Sequence, residues 1–181
     1  MEVPESSLRW PKKLQPRAKE PLPTGEEATT LDDSTMPLEN QPANTLSAEK
    51  KAELRRLATE VAAHSYSPYS KFRVGAALLL SDGSVVSGCN VENCSYRLTS
   101  CAEQAAIARA VSERGPGIRL LAVAVANLNG AASMPCGACR QTLTEFGSDE
   151  IPVLYPGEGG KDEETTLGAL IPQAFRAEFL Q

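Results

Sequence analysis

The first 46 residues show no regular recurrence of apolar positions, and a clear one starts immediately after them. Leu54, Leu57, Ala58, Val61 and Ala62 fall on the i, i+3, i+4, i+7, i+8 stripe of an amphipathic helix. Ser47 stands where an N-cap belongs and Glu49 lies in the first turn, so the pattern predicts a helix from Ser47 to about His64. The stretch SYSPYS breaks it. FRVGAALLL is a near-continuous apolar run of strand length, SDGS a turn and VVSGCNV a second run, which together predict a hairpin. A second helix is predicted from about Cys101 to Arg114. IRLLAVAVAN reads as a central strand buried on both faces. PCGACRQTLTEF opens another helix, IPVLYP is a short strand, and LGALIPQAF holds a helical turn or two ending near Phe175.

The order α-β-β-α-β-α-β-α predicts an α/β protein, a three-layer α/β/α sandwich. Its mixed sheet has about five strands: one hairpin, then parallel strands joined by helical crossovers. Residues 1–46 hold seven of the 13 prolines and eight acids against five bases. They read as a disordered or loosely attached extension, with the folded domain over 47–181. Trp10 is the extension's only large aromatic and reads as solvated.

Composition narrows the function. The formal net charge is −5 and the pI about 5.0, so the basic footprint of a nucleic-acid binder is missing. No apolar stretch approaches the ~18 to 20 residues of a membrane span. MEVPESSLRWPKK lacks the apolar core of a secretory signal, and the expectation is a cytoplasmic protein with a small-molecule partner. Five cysteines, an odd number, argue against a closed disulfide framework. In a reducing compartment such cysteines are buried, catalytic or metal-bound.

The stretch TSCAEQAAI, residues 99 to 107, carries two readings. In one, Ser100 and Glu103 form an S-x-x-E capping box. In the other, Cys101 binds a metal and Glu103 moves protons beside it. Downstream, Cys136 and Cys139 form C-x-x-C at a helix start, where both sulfurs can face one point and the helix N-terminus favours thiolate. Three thiolates leave one position of a tetrahedral zinc open, as in catalytic sites, whereas structural sites are usually closed by four ligands. Other assignments exist for each piece. C-x-x-C also occurs as a redox pair, a lone Cys101 could be a small buried hydrophobe, and Cys89 or Cys94 could supply a fourth thiolate. Jointly, C-A-E heading a helix, then a strand, then P-C-x-x-C is the zinc deaminase signature in its three-cysteine form. His64, the only histidine, lies outside it.

With these motifs the sequence resembles the cytidine deaminases, the small homotetrameric zinc type that acts on free nucleosides. The resemblance runs from about residue 48 to Phe175 through SPYSKFRVGAALL, GCNVEN, CAE, PCGACRQ and LIPQAF. It implies one zinc ion per chain on Cys101, Cys136 and Cys139, with Glu103 as proton shuttle. Such a site activates water for attack on C4 of cytosine. Glu103 would carry the proton to N3 and help protonate the leaving amino group.

Asn90 and Glu92 would bind the ribose hydroxyl, Phe72 would pack on the pyrimidine ring with Val74 beside it, and Ala102 and Pro135 would address the base edge. Tyr96 and Phe175 would reach a neighbouring subunit's site, so active sites would be shared within a homotetramer. Without the resemblance, Phe72 and Val74 read as strand core, Asn90 and Glu92 as a polar turn, and Phe175 as a C-terminal anchor.

The family commonly reads C-A-E-R where this chain has Gln104, which donates a hydrogen bond but no charge; Arg97 is the candidate to compensate. The implied activity is deamination of cytidine and 2′-deoxycytidine in pyrimidine salvage. The alternatives are a modified cytosine nucleoside as substrate, or a structural zinc module without turnover.

Overall fold

Helix α1 (Ala48–Ala62) starts where its sequence provides a cap: the Ser47 side chain accepts from the Lys50 N–H at 3.2 Å. Its apolar stripe buries Leu54, Ala58 and Ala62 completely. The remaining elements follow as β1 (Val74–Leu80), β2 (Val85–Cys89), α2 (Ala102–Arg114), β3 (Leu120–Asn127), α3 (Gly137–Thr144), β4 (Pro152–Pro156), β5 (Asp162–Thr166) and α4 (Leu167–Leu170). These are the elements of a computed structural model, which describes residues 46–176. They lie within the compact unit Leu38–Gln181. The expected extension over 1–46, Trp10 included, falls outside the described residues except for Leu46.

The five strands form one mixed sheet in the order β2-β1-β3-β4-β5. As expected, β1 and β2 form a hairpin and β3 is central. β1 runs antiparallel to both neighbours, and the β3–β4 pair is parallel, joined by α3. The fifth strand is absent from the element order read from the apolar pattern. β5 is DEETT, without one apolar residue, and it pairs antiparallel with β4 as a second hairpin. An edge strand buries little, so apolar periodicity cannot mark it. Side chains of α1 hold it instead. Lys51 pairs with Glu164 at 2.7 Å, and Arg55 reaches Asp162 at 3.1 Å and the Glu163 carbonyl at 3.0 Å.

Strand alternation sorts the core into two faces. Ala77, Leu79, Ala122, Ala124 and Leu154 meet α1 on one side. Ala76, Leu78, Leu80, Val123, Val125 and Val153 meet α2, α3 and α4 on the other. That is the three-layer sandwich. Alternation slips once: the β1–β3 register shifts between Leu79 and Leu80, so that Leu121 and Ala122 share the α1 face.

Two glycines let the helices close onto the sheet. A Cβ on Gly75 would stand 2.0 Å from the Ala58 carbonyl oxygen of α1, and one on Gly88 would stand 2.5 Å from the Ala106 nitrogen of α2. Leu78 is fully buried between strand and helix, so truncating it to alanine costs about 2–5 kcal/mol.

Candidate metal and nucleoside site

The site forms where α2 and α3 begin. Helix α2 starts after a loop stitched by backbone bonds between Val91 and Ser100, 3.0 Å one way and 2.9 Å the other. Ser100 therefore spends its N–H on Val91 and is not the cap. The N-cap is Cys101, and its side chain makes no capping hydrogen bond. The capping-box reading of Glu103 fails on that geometry. Helix α3 repeats the arrangement, with Cys136 at the N-cap and no side-chain capping bond. Cys139 sits in the first turn of α3, fully buried.

The Sγ atoms of Cys101, Cys136 and Cys139 all lie within 4.8 Å of one another, and those of Cys101 and Cys136 are 3.8 Å apart. Two sulfurs bound tetrahedrally at about 2.3 Å from zinc stand about 3.8 Å apart, so the donors fit that ion. Protonation chemistry agrees. A hydrogen bond from the Cys139 thiol pulls Cys101 down to about 7, against burial and the Glu103 charge. That same bond, then burial, then the charge of Glu103 push the Cys139 thiol up. Without a cation the cluster gives up one proton readily and resists losing the next. A bound dication removes that resistance.

Glu103 points from the first turn of α2 into this cluster and is 4% exposed. Burial raises its carboxyl above the ordinary carboxylate range, while its backbone hydrogen bond and the Cys139 thiol pull the other way. A buried carboxyl next to a metal-donor set, held ready to take up a proton, is equipped to shuttle protons.

A cavity of about 380 Å³ opens in front of these residues. Of the residues singled out from sequence, Phe72, Val74, Asn90, Glu92, Cys101, Ala102, Glu103 and Cys136 line it. Pro135 is fully buried and is not part of the lining. Asn90 is nearly buried and much of its amide is committed. Its Oδ1 accepts from Ser65 Oγ at 2.6 Å and from the Val74 N–H at 2.8 Å, and its Nδ2 donates to the Phe72 carbonyl at 2.9 Å. Glu92 accepts from the Tyr69 and Ser70 N–H groups and from the Ser70 hydroxyl, which is the main cause of its lowered pKa. These bonds are those of a polar turn, and both residues also line the cavity.

Other candidates lie outside the cavity lining. Tyr96 and Phe175 are 76% and 58% exposed, Gln104 is half-buried in the first turn of α2, and Arg97 is exposed. Cys94 is exposed and Cys89 half-buried, and neither belongs to the sulfur cluster.

Sequence reading missed Ser70, Thr99, Val125, Ser133 and Met134 in the lining. It also missed Arg140, whose Nε donates to the Pro135 carbonyl at 2.8 Å and whose Nη1 donates to the Leu170 carbonyl at 3.0 Å. The signal was adjacent: an arginine directly after the second cysteine of C-x-x-C brings fixed positive charge to the turn that carries the thiols.

Three cysteine sulfurs at two helix N-termini, with a buried glutamate beside them and a cavity in front, are the donor set and proton carrier that a zinc-binding deaminase requires. Residues 48–155 match the family model described as cytidine and deoxycytidylate deaminase zinc-binding region. A cytidine deaminase from Mycobacterium tuberculosis is 50% identical over 122 residues, 67% of this chain and 86% of that protein. One from Sporosarcina psychrophila is 49% identical over 116 residues, 64% of this chain and 84% of its own. The crystal structure of the Mycobacterium tuberculosis cytidine deaminase superposes with a TM-score of 0.62 at 48% identity, covering 69% of this chain and 96% of that one. This chain belongs to the cytidine deaminase family.

Proposed function

We propose that the protein catalyses the hydrolytic deamination of cytidine and 2′-deoxycytidine to the uridine nucleosides, releasing ammonia, with one zinc ion held by Cys101, Cys136 and Cys139. The observation that carries this reading is Glu103, a 4% exposed carboxyl beside three converging sulfurs at the wall of a nucleoside-sized cavity. Zinc in that position supplies an activated water near neutral pH. Glu103 would take one proton from the attacking water to N3 as the water oxygen bonds to C4. It would then carry the second proton from the new C4 hydroxyl to the amino nitrogen, so that the C4–N bond breaks and ammonia leaves. Proton transfer of this kind contributes about 10²–10⁴-fold.

The remaining residues bind and orient. Phe72 packs on the pyrimidine and Val74 supports it, Asn90 and Glu92 meet the ribose hydroxyl, and backbone groups at Ala102 and Pro135 address the base edge. Gln104 brings no charge to offset the thiolates, and Arg140, bonded to the Pro135 carbonyl at 2.8 Å, puts a guanidinium on the turn that precedes Cys136. The exposed Tyr96 and Phe175 project to neighbouring copies in a homotetramer with shared sites, and the setting is cytoplasmic pyrimidine salvage.

The test is direct. Purified protein is assayed for zinc and for the absorbance change of cytidine, beside Glu103→Ala. One zinc per chain in both, with turnover only in the wild type, supports the reading. Zinc without turnover on cytidine, deoxycytidine or substituted cytidines overturns it in favour of a structural module.

A further inference from the structure

Residues 71 to 74 lead into the first residue of β1, and two side-chain amides hold them, one gripping Lys71 and Arg73 and the other Phe72 and Val74. Asn129 Nδ2 donates to the Lys71 carbonyl at 3.0 Å, and Asn129 Oδ1 accepts from the Arg73 N–H at 2.9 Å. These two groups flank Phe72. Asn90 grips the next pair, donating to the Phe72 carbonyl at 2.9 Å and accepting from the Val74 N–H at 2.8 Å. Each asparagine thus acts as a one-residue strand partner. The arrangement has a local cost to overcome: Lys71 has φ of 61°, the one positive value on a non-glycine among the described residues.

Asn129 is itself placed by Asn127 at the end of β3. Asn127 Oδ1 accepts from the Asn129 N–H at 2.8 Å and the Ala131 N–H at 3.3 Å. Its Nδ2 donates to the Ala131 carbonyl at 2.6 Å and to Ser133 Oγ at 2.9 Å. Ser133 and Phe72 both line the cavity, and Ser133 leads within three residues to Cys136. One loop therefore fixes the aromatic wall and the approach to the metal-binding helix together.

We infer that Asn129 is a positioning residue for the nucleoside: it sets where Phe72 presents its ring relative to the metal-binding helix. This rests on the cytidine deaminase reading. Asn129 is exposed and touches neither sulfur nor Glu103 through any bond described, so its effect passes through Phe72. A ring that holds the base equally in ground and transition states changes KM and leaves kcat nearly alone when displaced.

The test measures kcat and KM for cytidine, with zinc content, for wild type, Asn129→Ala, Asn129→Asp and, as a loop control, Leu128→Ala. Asn129→Ala removes both bonds. Asn129→Asp keeps the acceptor for Arg73 but sets an oxygen against the Lys71 carbonyl. The expected result is a KM raised on the order of tenfold in both Asn129 variants, with kcat within about twofold and full zinc content. Leu128→Ala keeps the wild-type KM. A merely structural role gives the opposite split, with fewer active molecules, lower apparent kcat and zinc, and unchanged KM, and that result overturns the inference. If Asn129→Ala does not fold, Asn129→Asp decides alone, and an unchanged KM there overturns it. A zinc-loaded wild type that turns over no cytidine overturns the underlying reading and this one with it. An active wild type with indifferent Asn129 variants overturns only this one.

Discussion

The N-termini of α1 and α4 are closed by hydroxyls, Ser47 accepting from the Lys50 N–H and Thr166 from the Ala169 N–H. Those of α2 and α3 are headed by Cys101 and Cys136, which make no side-chain capping bond. Cysteine is a poor cap, and leaving the first-turn N–H groups without one forgoes about 0.5–2 kcal/mol per helix. What α2 and α3 keep in exchange is positive potential at two converging helix ends, aimed at the sulfur cluster. Packing rather than capping holds them: Ala102, Ala106, Ile107 and Ala110 of α2 and Leu143 of α3 are all buried. The contrast teaches that one backbone position serves stability in half of these helices and chemistry in the other half.

The strongest way to break the contrast is Cys136→Ser, which turns a metal-site cap into an ordinary one. Zinc content should fall toward zero and cytidine turnover to background, while the metal-free variant unfolds about 0.5–2 kcal/mol later than metal-free wild type. Metal analysis and chelated denaturant melts read both, and retained zinc would remove Cys136 from the ligand set.

Next comes Glu103→Gln. Turnover should drop about 10²–10⁴-fold with zinc retained, measured as single-turnover rate beside metal content. A smaller loss would return Glu103 to a structural role. On the other side of the comparison, Ser47→Ala should cost about 1 kcal/mol in a urea melt and leave kcat/KM for cytidine unchanged.

The smallest effect concerns Glu92, whose pKa is lowered chiefly by the Ser70 hydroxyl. A depressed carboxylate pKa means its hold on residues 69 and 70 is complete above the ordinary carboxylate pKa. The hold is lost as pH falls through the depressed value. Amide hydrogen exchange at Tyr69 and Ser70 should therefore gain protection above that range, and Glu92→Gln should flatten the profile.

Sequence pattern reached what apolar burial determines. α1 was legible because Leu54, Ala58 and Ala62 face one core, and β3 because it is sandwiched between two. The clustering of the three cysteines was legible because C-x-x-C and a lone cysteine at two predicted helix starts can bring three sulfurs together, and Glu103 was legible as a first-turn residue of α2. Features governed by polar backbone satisfaction were not legible. β5 offers no periodicity, and nothing local marks Asn127 or Asn129 as more than turn residues. Ser100 looked like a cap because its partner, Val91, is set by the loop's return path rather than by neighbouring sequence.

That same β5 closes one margin of the sheet with Asp162, Glu163 and Glu164 in succession. A bare strand margin is a template on which another chain can add a strand and begin a fibril. Three adjacent acids, two of them bound to cations on α1, make that addition bury charge and repel a like margin. The strand that the apolar code overlooked thus guards this margin of the sheet against edge-to-edge strand addition.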